Sequence, residues 1–523
     1  MLKQYIMMLF PMLFFGQVER WVYRYESTYS DEGAAQVDIG EDKSVYAIGR
    51  VSFDGVQTDF TIIKLDSLGN FKHIYSYPQI YSYDFGTGIL VGEDGNVYAG
   101  GAILYQAMAL SVDTQLNLRW IIEIGDWGAG RILQGEPDKI YILAIQGGWE
   151  GENIQVVKMN YSGNIEWIYT YGNIDAEIGY DMVRGRDGNL YIVGKDGYNS
   201  NTNNYFLIFS VSSNGNLRWA HYENGLNNNA WGYSIVYGNN NVYATGYVDD
   251  GANGGRYNLY VIALDTLGNK LWDYRYNGQA SRRDVGRAIT YGLDGNLYVT
   301  GSEQIDVSYS KILVISLDKN GNERWIYHYS TQGIYEGGYS IIYSPNHNIY
   351  VCGVSRLNSD DIVVICLDTL GNEKWVYRYD GPGYGDDTPA YRFLYKDNYI
   401  YIPAQTYDSV TGADFTVICI EDTTFVNKRE ELGKELKFMV YPSVFKDILN
   451  IKFEIPYPNF HSILQIYDIY GKLIKKWDLG RIKGNNLIWR GTDNIGHKIP
   501  DGIYFISLKT RNYKITKKVV LIK

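Results

Sequence analysis

The chain has 523 residues, 45% of them apolar and 20% charged, with 51 Tyr and 57 Gly against only 11 Pro. It is too long for one compact core and too apolar to be disordered, so a folded protein of at least two domains is expected. The net charge of −11 is uneven: from Lys428 onward nineteen Lys and Arg face nine Asp and Glu, a balance of +10 that leaves −21 on the preceding 427 residues. So acidic a body is a poor match for a phosphate backbone, which argues against nucleic acid as a partner.

In chain order, Met1, Leu2 and Lys3 lead into an apolar run from Tyr5 to Phe15. One positive charge and so short an apolar stretch predict a signal peptide over residues 1–16, with Gln17 first in the mature chain. No later stretch is apolar and long enough to cross a membrane as a helix.

From residue 17 the chain repeats itself. The segment Trp21-Val-Tyr-Arg-Tyr25 recurs as Trp167-Ile-Tyr-Thr-Tyr171, Trp272-Asp-Tyr-Arg-Tyr276, Trp325-Ile-Tyr-His-Tyr329 and Trp375-Val-Tyr-Arg-Tyr379, with weaker copies from His73, Trp120 and Trp219. Successive starts lie 47 to 53 residues apart. Each unit reads as four strands: a segment such as Gly286-Arg-Ala-Ile-Thr-Tyr291, the turn Asp294-Gly295-Asn296, Leu297-Tyr-Val-Thr-Gly301, a variable loop, Ile312 to Asp318, the turn Asn320-Gly321-Asn322, and the aromatic strand. Asp-Gly and Asn-Gly are hairpin turns because both residues accept positive φ. Four antiparallel strands per ~50 residues describe the blade of a β-propeller.

The phase of the repeat predicts how the ring closes. The mature chain opens on a lone aromatic strand, Trp21 to Tyr25, and the repeats end on a lone third strand, Asp414 to Glu421. If the aromatic strand is the outer, fourth one, the first copy completes the last blade and leaves no strand unpaired. That gives eight blades over residues 17–422. The unit from Arg131 to Asn160 is the most degenerate, and without it there would be seven.

The turns sort into two rims. Those joining first to second and third to fourth strands are short and repetitive, whereas the others, such as 194–204, 246–258, 277–284 and 380–387, vary and share the opposite rim. Recognition belongs on that variable rim. There, two residues before the start of the inner strand, six units carry a carboxylate: Asp31, Asp84, Glu177, Asp284, Glu336 and Asp387. Two readings are open for them. They form a ring at the channel mouth that takes a cation or polar ligand, or each caps its own loop by accepting backbone N–H groups.

Little else carries chemistry. Cys352, Cys366 and Cys419 make no disulfide framework and read as small buried side chains. Six scattered His offer no metal-ligand spacing, and neither a nucleophile elbow nor a phosphate loop is present, so no cofactor or metal is expected.

Residues 423–436 read as a charged linker. Beyond them alternating strands at 437–441, 448–455, 463–467 and 502–509, among about seven in all, predict an immunoglobulin-like sandwich over 437–523.

Two resemblances follow. The repeat, with its Asp-Gly-Asn turn, Tyr-x-x-Gly strand and closing Leu-Asp-x-x-Gly-Asn-x-x-Trp, resembles secreted propellers of the SBBP type and quinoprotein-like propellers over Trp21 to Glu421. The tail is similar to the C-terminal sorting domain of the type IX (Por) secretion system and to the FlgD-like fold. The matching stretches are Val440-Tyr-Pro-Ser443, Leu464 to Lys472, Trp489 to Gly496, Asp501-Gly-Ile-Tyr-Phe505 and Lys517 to Lys523; Tyr441-Pro442-Ser443-Val444 stands where that family has Tyr-Pro-Asn-Pro. The tail resemblance implies export machinery as a partner and a secreted or outer-membrane-surface location. The expectation is a non-enzymatic binding propeller with a carbohydrate or protein ligand. A glycoside hydrolase or lyase acting at the channel mouth, and a structural surface or adhesion component, are the alternatives.

Overall fold

The computed structural model describes residues 17–25, 31–53, 57–77, 83–148, 151–172, 176–197, 204–251, 256–331, 334–356, 359–383, 385–423, 437–454, 463–469, 472–479, 486–494, 496–509 and 514–522. The signal peptide and all but the first residue of the linker expected from the sequence lie outside these. The chain divides into two compact units, residues 1–424 and 425–523.

The first unit is an eight-bladed propeller. Seven blades are continuous four-stranded meanders: Gly33–Tyr77, Phe85–Asp126, Gly128–Tyr171, Ile178–Glu223, Ala230–Tyr276, Asp284–Tyr329 and Glu336–Tyr379. The degenerate unit is therefore a full blade, the third. Blade 8 takes its inner strands from Thr388–Asp422 and its outer strand from Gln17–Tyr25, which pairs antiparallel with Gly412–Asp422 in the register Trp21↔Cys419 and Tyr25↔Phe415. This is the closure that the phase of the repeat predicted.

Within a blade the strands run a to d from the channel outward. Apolar side chains on both faces of strands b and c are almost completely buried, Leu297, Val299, Leu313 and Ile315 on one face and Tyr298, Ile312 and Val314 on the other, because each sheet is covered by the next. Strand d alternates instead: Trp272, Tyr274 and Tyr276 pack toward the following blade while Leu271, Asp273 and Arg275 face solvent. The motif residues hold the turns. Asp294 takes the Tyr298 hydroxyl at 2.5 Å, and Asp318 takes the N–H groups of Asn320 and Asn322 at 2.8 and 2.9 Å. All three cysteines are buried and free.

Strand a is irregular in a repeated way. Its register slips beside the strand-b glycine, whose place Ala144 takes in blade 3: after Gly86, Gly179, Gly232, Gly286 and Gly338, and after Ala34 and Ala129 in blades 1 and 3. The glycine opposite is required by the close approach, since a Cβ on Gly301 would overlap the Val285 carbonyl oxygen. This bulge re-aims one side chain per blade.

The second unit is a sandwich of two sheets, one of three strands (437–441, 449–454, 486–489) and one of five (444–445, 463–468, 473–478, 502–509, 514–521). Leu449, Ile451, Leu464, Trp489, Ile506 and Leu508 fill its core. No helix among the described residues is long and apolar enough to cross a membrane.

Candidate functional site

Five of the six carboxylates singled out in the sequence, Asp84, Glu177, Asp284, Glu336 and Asp387, are buried at the start of strand a. Four are turned onto their own loops. Asp284 accepts the N–H groups of Gly278 and Gln304 at 2.6 and 3.3 Å, and Asp387 those of Gly381 and, at 2.8 Å, Tyr407. Glu336 accepts the Thr331 N–H at 2.8 Å and the Ser355 hydroxyl at 2.9 Å; Asp84 accepts the Leu104 N–H at 2.9 Å. The sixth, Asp31, does not share this position: it is exposed and pairs with Arg50 at 2.9 Å. Ala34↔Gly49 in blade 1 matches Gly286↔Gly301 in blade 6, so the equivalent carboxylate is Glu32, fully buried, and Gly33 shifts the apparent spacing by one. Trp127 and Ala230 hold the place in blades 3 and 5.

Burial raises the Asp284 carboxyl to about 6, against its backbone bonds, with Glu303 nearby adding to the rise. Asp387 is likewise pushed up to about 6 by burial, with Asp361 and Asp380 contributing. Oxygens of Asp361, Asp380 and Asp387 lie within 4.8 Å of one another, a spacing a hard cation accepts, but Asp361 already takes the Arg378 Nε–H at 2.6 Å.

A different set of residues occupies the channel. The bulge presents Ala35 and Thr87 in blades 1 and 2, but Arg131, Tyr180, Tyr233, Arg287 and Tyr339 in blades 3 to 7. In blade 8 the inner strand breaks after Pro389, leaving Tyr391 and Arg392 free of the sheet. Arg392 reaches Asp181 of blade 4 at 2.6 Å, and Arg131 approaches the same oxygen at 3.6 Å. Blades 4 and 8 stand opposite each other in a ring of eight, so this ion pair spans the channel. Burial alone would raise the Asp181 carboxyl, but Arg392 and then Arg131 outweigh it and hold it below its ordinary value.

Around this crossing the aromatic rings are continuous. Tyr180 lies 5.3 Å from Tyr233 and stacks on Trp231 at 6.0 Å; Trp231 stacks on Tyr247 at 6.1 Å, and Tyr247 on Tyr257 at 4.3 Å. On the far side Arg287 sits over Tyr339 at 5.3 Å, and Tyr339 lies 5.3 Å from Tyr391, which is 66% exposed. The Nε–H of Arg131, the Nε–H of Arg287 and the indole N–H of Trp231 are buried with no hydrogen-bond partner among the described residues. Two guanidinium groups, Arg392 and Arg131, thus meet one carboxylate in the channel, with Arg287 close by over Tyr339. Aromatic faces with free donors stack and hydrogen-bond a polar ligand. Sequence reasoning missed this set because it followed what repeats; the signal was the residue after the strand-a glycine, which changes from blade to blade.

These observations define a β-propeller chain with a folded β-sandwich tail. Residues 439–523 match the secretion system C-terminal sorting domain, so the protein is directed to the cell surface or the extracellular space. No curated protein matches the chain. Among solved structures, the Dos1 propeller is similar over 78% of this chain and 96% of its own, at 11% identity and a TM-score of 0.51, a likeness of fold alone. PorZ, a bacterial surface component of the type IX secretion system of Porphyromonas gingivalis, aligns over 92% of this chain at 12% identity with a TM-score of 0.37, and this chain covers 64% of it. Virginiamycin B lyase from Staphylococcus aureus aligns over 77% of this chain and 99% of its own, at 12% identity and a TM-score of 0.39.

Proposed function

We propose that this is a non-enzymatic carbohydrate-binding propeller, exported with residues 1–16 as leader and the sandwich as sorting tail, that holds its ligand on the variable rim at the channel mouth. The observation that carries the reading is the break in symmetry: Tyr180, Trp231, Tyr233, Tyr247, Tyr339 and Tyr391 crowd blades 4 to 8, where blades 1 and 2 carry Ala35 and Thr87. Packing between blades repeats around the ring; these rings do not, and sugar faces stack on such surfaces. Asp181 supports binding over hydrolysis, because its oxygens are taken by Arg392, by the N–H groups of Met182 and Ile235 and by the Ser234 hydroxyl.

The test is a glycan array probed with the full chain, followed by titration calorimetry on the best ligand. Trp231→Ala and Tyr233→Ala should each weaken binding by about tenfold or more, as central aromatic anchors do. Leu68→Ala, 73% exposed in a third-to-fourth-strand turn, should leave binding unchanged. Absence of any glycan ligand, or a Trp231→Ala protein that binds as well as the parent, would refute the proposal.

A further inference from the structure

Beside the aromatic wall, between the variable loops of blades 5 and 6, lies a cavity of about 530 Å³ lined by Arg256, Arg282, Arg283, Ser281, Gln304 and Val307. Three guanidinium groups converge there on a unit that carries −21 over residues 1–424. Their neutralisation is slight. Asp306 stands 3.5 Å from Arg282 with both side chains solvent-exposed, and among the described residues Arg256 and Arg283 have no carboxylate within ion-pairing distance. The nearby acids are otherwise engaged: Asp250 holds Arg275 at 2.7 Å, Glu303 holds His328 at 2.6 Å, and Asp284 is turned onto the backbone of Gly278 and Gln304.

The loop that presents Arg282 and Arg283 is held at its base by that buried Asp284, which anchors Gly278 at 2.6 Å. The cavity is also continuous with the candidate site. Arg283 lies over the Tyr257 ring at 4.8 Å, Tyr257 stacks on Tyr247, and Tyr247 leads through Trp231 to Tyr180 in the channel.

We infer that this arginine cavity is an anion subsite, and that the carbohydrate bound by the propeller is an acidic one, with uronate carboxylates or sulfate esters seated among Arg256, Arg282 and Arg283 while neighbouring sugar rings extend toward the aromatic wall. Guanidinium forks suit both anions, since each offers paired oxygens in a plane or facet the fork can match. The inference rests on the carbohydrate-binding reading above and adds the charge of the ligand to it. Duplex nucleic acid, the other common polyanion, is disfavoured by the repulsion of the surrounding acidic surface.

The test compares the full chain on polygalacturonate, on the same polymer after carboxyl reduction, on dextran sulfate, on dextran and on duplex DNA, with Arg256→Gln/Arg283→Gln beside the parent. The expected result is binding to polygalacturonate or dextran sulfate that falls with added salt and drops by about tenfold or more in the double variant, each lost charge-assisted contact being worth a factor of that order. Carboxyl-reduced polymer and dextran should bind far more weakly. Preference for one of the two acidic polymers names the anion and supports the inference. If the neutral polymers bind as tightly as the acidic ones and the arginine variants match the parent, the subsite is overturned while carbohydrate binding stands. If duplex DNA binds as tightly as the acidic polymers, the acidic-carbohydrate assignment is overturned. If no polymer binds and Trp231→Ala has no measurable ligand to lose, the carbohydrate reading itself falls.

Discussion

Closure of the ring by the N-terminal strand makes a quantitative prediction about two glycines. Gly69 and Gly95 occupy turns of blades 1 and 2 at nearly the same positive φ, +81° and +80°. A Cβ on Gly95 would meet nothing within 4 Å, whereas on Gly69 it would stand 2.5 Å from Cδ2 of Trp21, whose indole N–H donates to the Ser67 carbonyl at 3.2 Å. Gly95→Ala therefore carries only the left-handed penalty, about 1–2 kcal/mol. Gly69→Ala carries the same penalty and must also push the indole away by about 1 Å to reach ordinary contact. That shift breaks the hydrogen bond, worth about 1 kcal/mol, and loosens the packing by about as much again. The excess of Gly69→Ala over Gly95→Ala should be about 2 kcal/mol, measured by equilibrium urea unfolding followed by circular dichroism and fluorescence. Trp21 is 48 residues away in sequence and lies on the strand that completes blade 8, so the excess exists only if that strand is in place. In a Trp21→Ala background it should vanish, as in a double-mutant cycle. Equal costs for the two glycines in the parent, within about 0.5 kcal/mol, would refute this account of the closure.

Two further outcomes follow from buried groups. Asp284 is raised to about 6 in the folded protein, so between the unfolded value near 4 and 6 the folded state binds the extra proton. Stability should fall as pH rises through that window, by at most about 3 kcal/mol from this group, and level off above it; Asp284→Asn should flatten that slope in urea midpoints measured from pH 4 to 7. Burial raises the thiols of Cys352, Cys366 and Cys419, the last to about 12, so none should react with a thiol reagent at pH 8 until denaturant is added; modification of the native protein by mass spectrometry would contradict the packing.

The legible part of the fold was the part that repeats. Asp-Gly-Asn turns, Tyr-x-x-Gly strands and the Trp strand each answer a local demand that a single unit displays in full. The blade count and the closing strand could therefore be read from residues such as Trp21 and Gly321 without coordinates. The carboxylate at the head of strand a was legible too, but its one-residue displacement in blade 1, Glu32 in place of Asp31, was not, because Gly33 imitates the spacing and only the register Ala34↔Gly49 resolves it. The channel set was not legible because its members come from six blades, the third to the eighth. Asp181 and Arg392 are 211 residues apart and meet only because a ring of eight sets blade 4 against blade 8.

The same contrast between repeat and exception explains the one weak seam. Trp120, Trp167, Trp219, Trp272 and Trp325 each donate an indole N–H, at 3.0 Å, to the third-to-fourth-strand turn of the next blade. Trp375 has no such turn to meet, since blade 8 takes its fourth strand from the other end of the chain, and its indole N–H is buried with no partner among the described residues. An orphaned buried donor costs about 1–3 kcal/mol. The incoming strand keeps a second clasp that blades 5 and 6 also make, the Tyr377 hydroxyl to Glu19 at 2.5 Å as Tyr274 to Glu323 at 2.6 Å and Tyr327 to Glu373, and it adds Gln17 Nε2–H to the Val376 carbonyl at 3.0 Å. Closing a ring with a strand from the opposite terminus thus removes the free edge but forfeits one inter-blade clasp. Of the residues just before Trp21, Glu19 reproduces the repeat's Tyr–Glu clasp and Gln17 adds one more bond at the joint.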